Sequence, residues 1–137
     1  MTKYLYALLL LLTAPVIASE TLAPEQVAGA VTINTATAKL LFDKGFIFVD
    51  VRKQEDYERS HIPGARHLSV NSEYFTVENL RAIVEKRDTV VFYCNGIHCM
   101  GSSKASQKAA EWGWQKILYY REGIQGWEKA GYAVNQS

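Results

Sequence analysis

The sequence predicts an α/β protein: a parallel sheet flanked by helices on both faces. Three observations predict it. Short β-prone runs alternate with stretches of helical periodicity, the order that lays crossover helices against parallel strands. Two of those runs, Phe46-Ile47-Phe48-Val49 and Thr89-Val90-Val91-Phe92-Tyr93, are apolar at almost every position, as strands buried on both faces are. The chain has 137 residues, 48 % of them hydrophobic and 21 % charged, the size and balance of one ordinary globular domain. A chain of this length buries about two-thirds of its unfolded surface, so it needs no staple to hold a core.

The elements follow in order. Met1 to Ala18 has the layout of a secretory signal peptide: Lys3, an apolar run from Tyr4 to Leu12, a break at Thr13-Ala14-Pro15, and small residues at Val16 and Ala18 before a cut. The apolar stretch to Ala18 contains a proline and falls short of the roughly 20 residues of a spanning helix, so cleavage is expected over anchoring. Residues 19–31 read as a lead-in whose polar part is weakly structured, and residues 32–135 as the domain. Within it Val31-Thr32-Ile33 reads as a first strand. Ala36 to Lys44 reads as a helix, capped by Asn34 or Thr35 and stopped by Gly45. The apolar run Phe46 to Val49 ends at Asp50. Lys53 to Ser60 reads as a short exposed helix, followed by the turn His61-Ile62-Pro63-Gly64 and a weak strand over Ala65 to Val70. Thr76 caps a helix to Lys86 that aligns Val77, Leu80, Ile83 and Val84 on one face. Thr89 to Tyr93 is the clearest strand. Ser102 or Ser103 caps the next helix, which runs through Trp112. Ile117 to Tyr120 is the last strand, and Gly126 to Ala130 a closing helical turn.

Charge narrows the partners. The first eighteen residues hold one lysine and no acid, so the remainder carries 14 basic and 14 acidic residues and no net formal charge. A neutral domain without a basic run has no electrostatic footprint for nucleic acid or, after cleavage, for a membrane surface. Export, to a periplasm-like compartment, implies oxidising conditions, in which neighbouring thiols pair. The chain has two cysteines, Cys94 and Cys99, too few for a disulfide scaffold. They raise a question of chemistry instead.

In open parallel sheets the working site lies at the carboxyl ends of the strands. The clearest strand runs straight into Cys94 and then into the loop Asn95-Gly96-Ile97-His98-Cys99-Met100-Gly101-Ser102 before a helix. A helix N-terminus carries partial positive charge and unpaired amides, and Gly96 and Gly101 are expected to let loop amides turn inward as an anion-binding nest. Such surroundings lower a thiol pKa. An unperturbed cysteine is only about 3 % thiolate at pH 7, and a two-unit drop, about 2.7 kcal/mol, makes it mostly thiolate. The same nest suits a persulfide, whose terminal sulfur is also anionic.

Three stretches resemble the single-domain rhodanese (sulfurtransferase) family: Val49-Asp50-Val51-Arg52 with Glu55-Asp56-Tyr57 and His61-Ile62-Pro63-Gly64-Ala65; Val90-Val91-Phe92-Tyr93-Cys94; and Tyr120 to Gly131 with Gly123, Gly126 and Trp127. The resemblance implies a five-stranded parallel sheet. It also implies that Cys94 attacks a small sulfur donor, holds the sulfur as a persulfide among loop amides and passes it to a thiophilic acceptor, a protein thiol included. No cofactor is implied. In many relatives the loop is six residues and ends in a basic residue. Here it is two residues longer and Met100 or Gly101 stands in that neighbourhood, leaving Lys104 as the nearest cation. Related phosphatases and arsenate reductases also use longer loops, but their chemistry calls for an oxyanion-clamping arginine that this loop lacks.

Cys99 is the unusual feature. It is placed to resolve a persulfide or to form a disulfide with Cys94, or else to serve as a loop hydrophobe. Cys94, His98, Cys99 and Met100 form a soft-ligand set, but four ligands so close in one loop would be strained, and no metal is expected. Asp50 and Arg52 are expected to support the site by an ion pair or a loop-orienting hydrogen bond, and His61 to fix its turn. A second reading stays open: a non-catalytic binding or redox-switch module with Cys94 and Cys99 joined.

Overall fold

The computed structural model describes residues 10–14 and 21–136. Most of the predicted signal peptide, and the cut after Ala18, lie outside them. The strands are β1 (Ala30–Ile33), β2 (Ile47–Asp50), β3 (Arg66–His67), β4 (Thr89–Tyr93) and β5 (Lys116–Tyr120). The helices are α1 (Thr35–Asp43), α2 (Gln54–Arg59), α3 (Val77–Ile83), α4 (Gly101–Glu111) and α5 (Gly123–Lys129). The strands form one parallel sheet in the order β1-β5-β4-β2-β3.

The period-two alternation of strand side chains divides the core in two. On one face Val49, Val90, Phe92 and Ile117 pack with Leu80 of α3 and with Ala105 and Ala109 of α4. On the other Phe48, Val91, Tyr93 and Tyr120 pack with Ala38 of α1 and with Ile124 and Trp127 of α5. Cys94 belongs to the first face. β4 lies between β2 and β5 and is buried from Val90 onward, which explains its unbroken apolar run.

Local signals set the ends of several elements. The Asn34 side chain accepts from the Thr37 amide at 2.9 Å, and Thr76 accepts from the Asn79 amide at 3.2 Å. Other ends differ from the sequence expectation. α3 stops at Ile83 because Val84 turns extended and buries, and its carbonyl accepts from the Trp114 indole at 3.2 Å. The strand expected over Ala65 to Val70 is regular only at Arg66–His67, although the Leu68 and Val70 amides still reach the carbonyls of Asp50 and Val51. α5 begins at Gly123 rather than Gly126. α4 begins at Gly101, so Ser102 and Ser103 sit inside its first turn and cap nothing; the Ser103 hydroxyl donates to the Met100 carbonyl at 2.8 Å.

The lead-in is better fixed than its polarity suggests. Ala23 is buried, and its carbonyl accepts two bonds from Arg121, at 2.8 and 3.1 Å. The Tyr119 hydroxyl donates to the Pro24 carbonyl at 2.8 Å.

Three tyrosines set the alkaline limit of the fold. Burial pushes the Tyr120 hydroxyl up to about 12, and raises Tyr119 and, further, Tyr93, where the Asp50 carboxylate adds to the effect. The unfolded chain loses these protons near pH 10, before the folded one does, so it is favoured as pH rises from there. Stability is expected to hold through pH 9 and to fall steadily between pH 10 and 12. Urea midpoints across that range check it, and a flat profile would contradict the tyrosine assignment.

Candidate active site

The site lies at the carboxyl ends of β2 and β4. Cys94 follows the last residue of β4 and is 3 % exposed. Its backbone is held from the far side of the sheet by α5. The Ile124 amide donates to the Cys94 carbonyl at 3.1 Å, and the Gln125 amide to the Asn95 carbonyl at 2.9 Å. That approach needs a glycine at the head of α5. Gly123 has φ +61°, and a Cβ there would run into the Cys94 carbonyl oxygen and stand 3.0 Å from the Asn95 carbonyl carbon.

Past Asn95 the loop folds back on itself, with the Cys99 amide bonded to the Gly96 carbonyl at 3.0 Å. The Ala23 amide braces the turn from outside through the Ile97 carbonyl, at 2.7 Å. Cys94 and Cys99 are joined as a disulfide, with 6.3 Å between their Cα atoms. Neither Gly96 nor Gly101 takes the left-handed backbone expected of a nest glycine. Each serves close packing instead. A Cβ on Gly96 would strike the Gln125 side chain, and one on Gly101 would sit 3.0 Å from the Cys94 sulfur and 3.6 Å from the Cys99 sulfur. The amides of Gly101, Ser102 and Ser103, the first turn of α4, have no partner within the helix and give this end its positive potential. The Ser102 hydroxyl is buried without a partner among the described residues.

Asp50 and Arg52 form a buried pair under the loop. The Arg52 Nε lies 3.0 and 3.2 Å from the two Asp50 carboxylate oxygens, and Nη2 lies 2.7 Å from the second. The other donors of Arg52 reach the Asn95 side-chain oxygen at 3.2 Å and the Ser60 carbonyl at 2.6 Å. Burial works against the Arg52 charge, but the Asp50 hydrogen bond and charge outweigh it and hold the guanidinium above its ordinary pKa. Arg52 is thereby committed to the scaffold. Of the cations lining the opening, Arg52 is tied to Asp50, whereas Lys53 and Lys104 pair with no described carboxylate; the Asp56 carboxylate lines it as well. With Ser69, Asn71, Cys94 and Met100 they line a cavity of 240 Å³.

The chain matches the family model of the rhodanese-like domain over residues 34–130. It belongs to the rhodanese-like family. It is 33 % identical over 93 residues to arsenate reductase 2.1 of Oryza sativa subsp. japonica, covering 63 % of this chain and 58 % of that one. It is 27 % identical over 90 residues to the thiosulfate sulfurtransferase GlpE of Coxiella burnetii, covering 66 % and 78 %. Among solved structures it is similar to a Bacillus halodurans protein, with a TM-score of 0.67 and 31 % identity over 77 % of each chain. The chain spans less than two thirds of the length of several relatives it matches, 58 % of the arsenate reductase and 28 % of a tRNA uridine(34) hydroxylase of Buchnera aphidicola.

The rhodanese-like loop brings Cys94, Asn95, Cys99, Met100 and Gly101 together at the opening, with Lys104 on the cavity wall, whereas Gly96 packs against Gln125 and Ser102 is buried in α4, and neither lines the cavity. Ile97 turns its carbonyl to Ala23 rather than into the opening, and His98 stands exposed on the outer side of the turn. Sequence reasoning missed Lys53, Ser69 and Asn71 on the opposite wall. Lys53 follows Arg52 directly and was legible as a strand-end cation. Ser69 and Asn71 carried no signal, because they reach the site only through the irregular chain after β3.

Proposed function

We propose that this rhodanese-like domain is an exported sulfurtransferase whose nucleophile is Cys94 in its reduced state. The observation that carries the reading is the placement of Cys94: a buried sulfur at the end of the central strand, facing a small opening with two lysines and the first turn of a helix. A thiolate is stabilised there, and an anionic donor is drawn towards it. The thiolate attacks the outer sulfur of a donor such as thiosulfate. The new S–S bond forms as the old one breaks, and sulfite leaves with the bonding pair. A thiophilic acceptor then takes the terminal sulfur and Cys94 leaves as thiolate. The buried Asp50–Arg52 pair orients Asn95 beside the nucleophile, and Lys53 and Lys104 supply the charge that an arginine provides elsewhere. Removal of Met1 to Ala18 would deliver the domain to a periplasm-like compartment, free of the membrane, where the disulfide forms. A non-catalytic module with that bond permanently closed is the other reading, and the relatives do not favour it.

Reduced Cys99→Ser protein exposed to thiosulfate is expected to load one sulfur atom on the peptide containing Cys94, since no second thiol is there to displace it. A Cys94→Ser chain does not load, with transfer to cyanide down at least about 10³-fold. Mass analysis of the intact chain and its peptides reads both. Loading of Cys94→Ser but not of Cys99→Ser would reverse the assignment.

A further inference from the structure

The turn that brings Cys99 to Cys94 is held by contacts other than the bond between them. The Cys99 amide is held by the Gly96 carbonyl, the Ile97 carbonyl by Ala23, and the Asn95 carbonyl by Gln125. Ala23 is itself tied down by Arg121. With these contacts in place, opening the disulfide leaves Cys99 beside Cys94. Gly101 leaves room for the Cys94 sulfur, since a Cβ there would stand 3.0 Å from it, with the Cys99 sulfur in ordinary contact at 3.6 Å. The two sulfurs are also ranked by access: Cys94 is buried, whereas Cys99 is half-exposed.

We propose that Cys99 is a second catalytic residue and that the domain reduces sulfane sulfur to hydrogen sulfide. The proposal rests on Cys94 carrying the persulfide. The Cys99 thiolate attacks the inner sulfur, Sγ of Cys94. The Cys94–Cys99 bond forms, the bond from Cys94 to the terminal sulfur breaks, and that sulfur leaves with the electron pair as hydrosulfide. Two electrons pass from the thiol pair to the sulfane sulfur, and the pair ends as the disulfide seen in the structure. With thiosulfate the balance is two thiols and one thiosulfate giving one disulfide, one sulfite and one hydrogen sulfide. An internal thiol held at this distance outcompetes a dilute external acceptor. The disulfide is then reopened by a dithiol reductant, small molecule or protein, that attacks the accessible Cys99 sulfur and frees Cys94 as thiolate. The second thiol of the reductant resolves the mixed disulfide. The partner implied is therefore a dithiol donor.

A single turnover tests this. The protein is reduced, freed of reductant without oxygen, and mixed with thiosulfate or with an alkyl persulfide. Released sulfide is trapped with a bimane reagent, the departing sulfite or thiol is measured, and the chain is weighed. The wild type is expected to release close to one sulfide per chain, to lose both thiols and to keep no extra sulfur. Cys99→Ser is expected to retain the sulfur and release at least tenfold less sulfide. A wild type that keeps the persulfide beside a free Cys99 thiol and releases no sulfide overturns the proposal while leaving Cys94 as sulfur carrier. Absence of the departing product from both donors overturns the Cys94 persulfide itself, and this proposal with it. The wild-type arm decides alone, whether or not the serine variant folds.

Discussion

Alanine at position 52 is expected to cost about 3–5 kcal/mol of stability, a large share of what a domain of this size has. Asp50 is fully buried, and the Arg52 side chain gives it three contacts within 3.2 Å, beside one from the Arg52 amide that alanine would keep. Truncating Arg52 leaves a carboxylate in the interior with no counter-charge, and also frees the Ser60 carbonyl and the Asn95 side chain. The loss is therefore larger than the net worth of the pair, because it includes the desolvation of an orphaned charge. Urea unfolding at pH 7 measures it. Removing Asp50 as well relieves the orphan, so the double alanine variant is expected to recover part of the loss rather than add to it. A single-variant loss under about 1 kcal/mol would mean that the pair is solvated in solution.

Gly123→Ala is expected to be as damaging, by about 3 kcal/mol or more, and to damage the site as well. Two independent penalties meet at this position. The backbone is left-handed, which costs an L-residue of order 1 kcal/mol or more, and the added methyl collides with the carbonyl of the nucleophile's own residue. Neither neighbour is a flexible side-chain tip that can swing aside. Relief requires α5 to move away from the end of β4, which breaks the amide bonds from Ile124 and Gln125. Sulfur loading at Cys94 should fall even in the fraction that stays folded. The informative comparison is Gly131→Ala, another left-handed glycine on the same side of the molecule's sequence but with open space around its Cβ position. It should lose only the backbone term and load normally. Equal losses in the two variants would remove the close contact with Cys94 from the explanation.

The parts of the fold that could be read from the sequence are those decided locally. The two buried strands announced themselves through runs that leave no polar face, and Asn34 and Thr76 set their helices by a bond to an amide three residues on. Cys94 was legible for the same reason, since its strand, loop and helix are contiguous. What failed to show was decided by distant chain. Val84 reads as helical by period, but the Trp114 indole claims its carbonyl. Ser102 and Ser103 look like caps until α4 begins earlier, at Gly101. The lead-in reads as weakly structured because its anchors, Tyr119 and Arg121, lie at the other end of the sequence. Gly96 and Gly101 were legible as glycines but not in their role, because the constraint on them comes from Gln125 and from the Cys94 sulfur rather than from their own torsions.

The strand order has a consequence for how the molecule comes into being. β1 pairs with β5 alone, Ile33 opposite Tyr120, so the first strand of the sheet has no neighbour until almost the whole chain exists. Each parallel pairing likewise joins segments separated by a crossover. Such a topology has high contact order, since the entropy of closing long loops is spent before the contacts that repay it are formed. Assembly is correspondingly slower than that of a helical bundle of the same size. The Ala23 brace on the active-site loop is delayed with it, because Ala23 precedes β1 and its anchor Arg121 follows β5. The two cysteines are thus left on an unbraced loop until the last strand arrives, and the geometry that pairs them is among the final things the chain acquires.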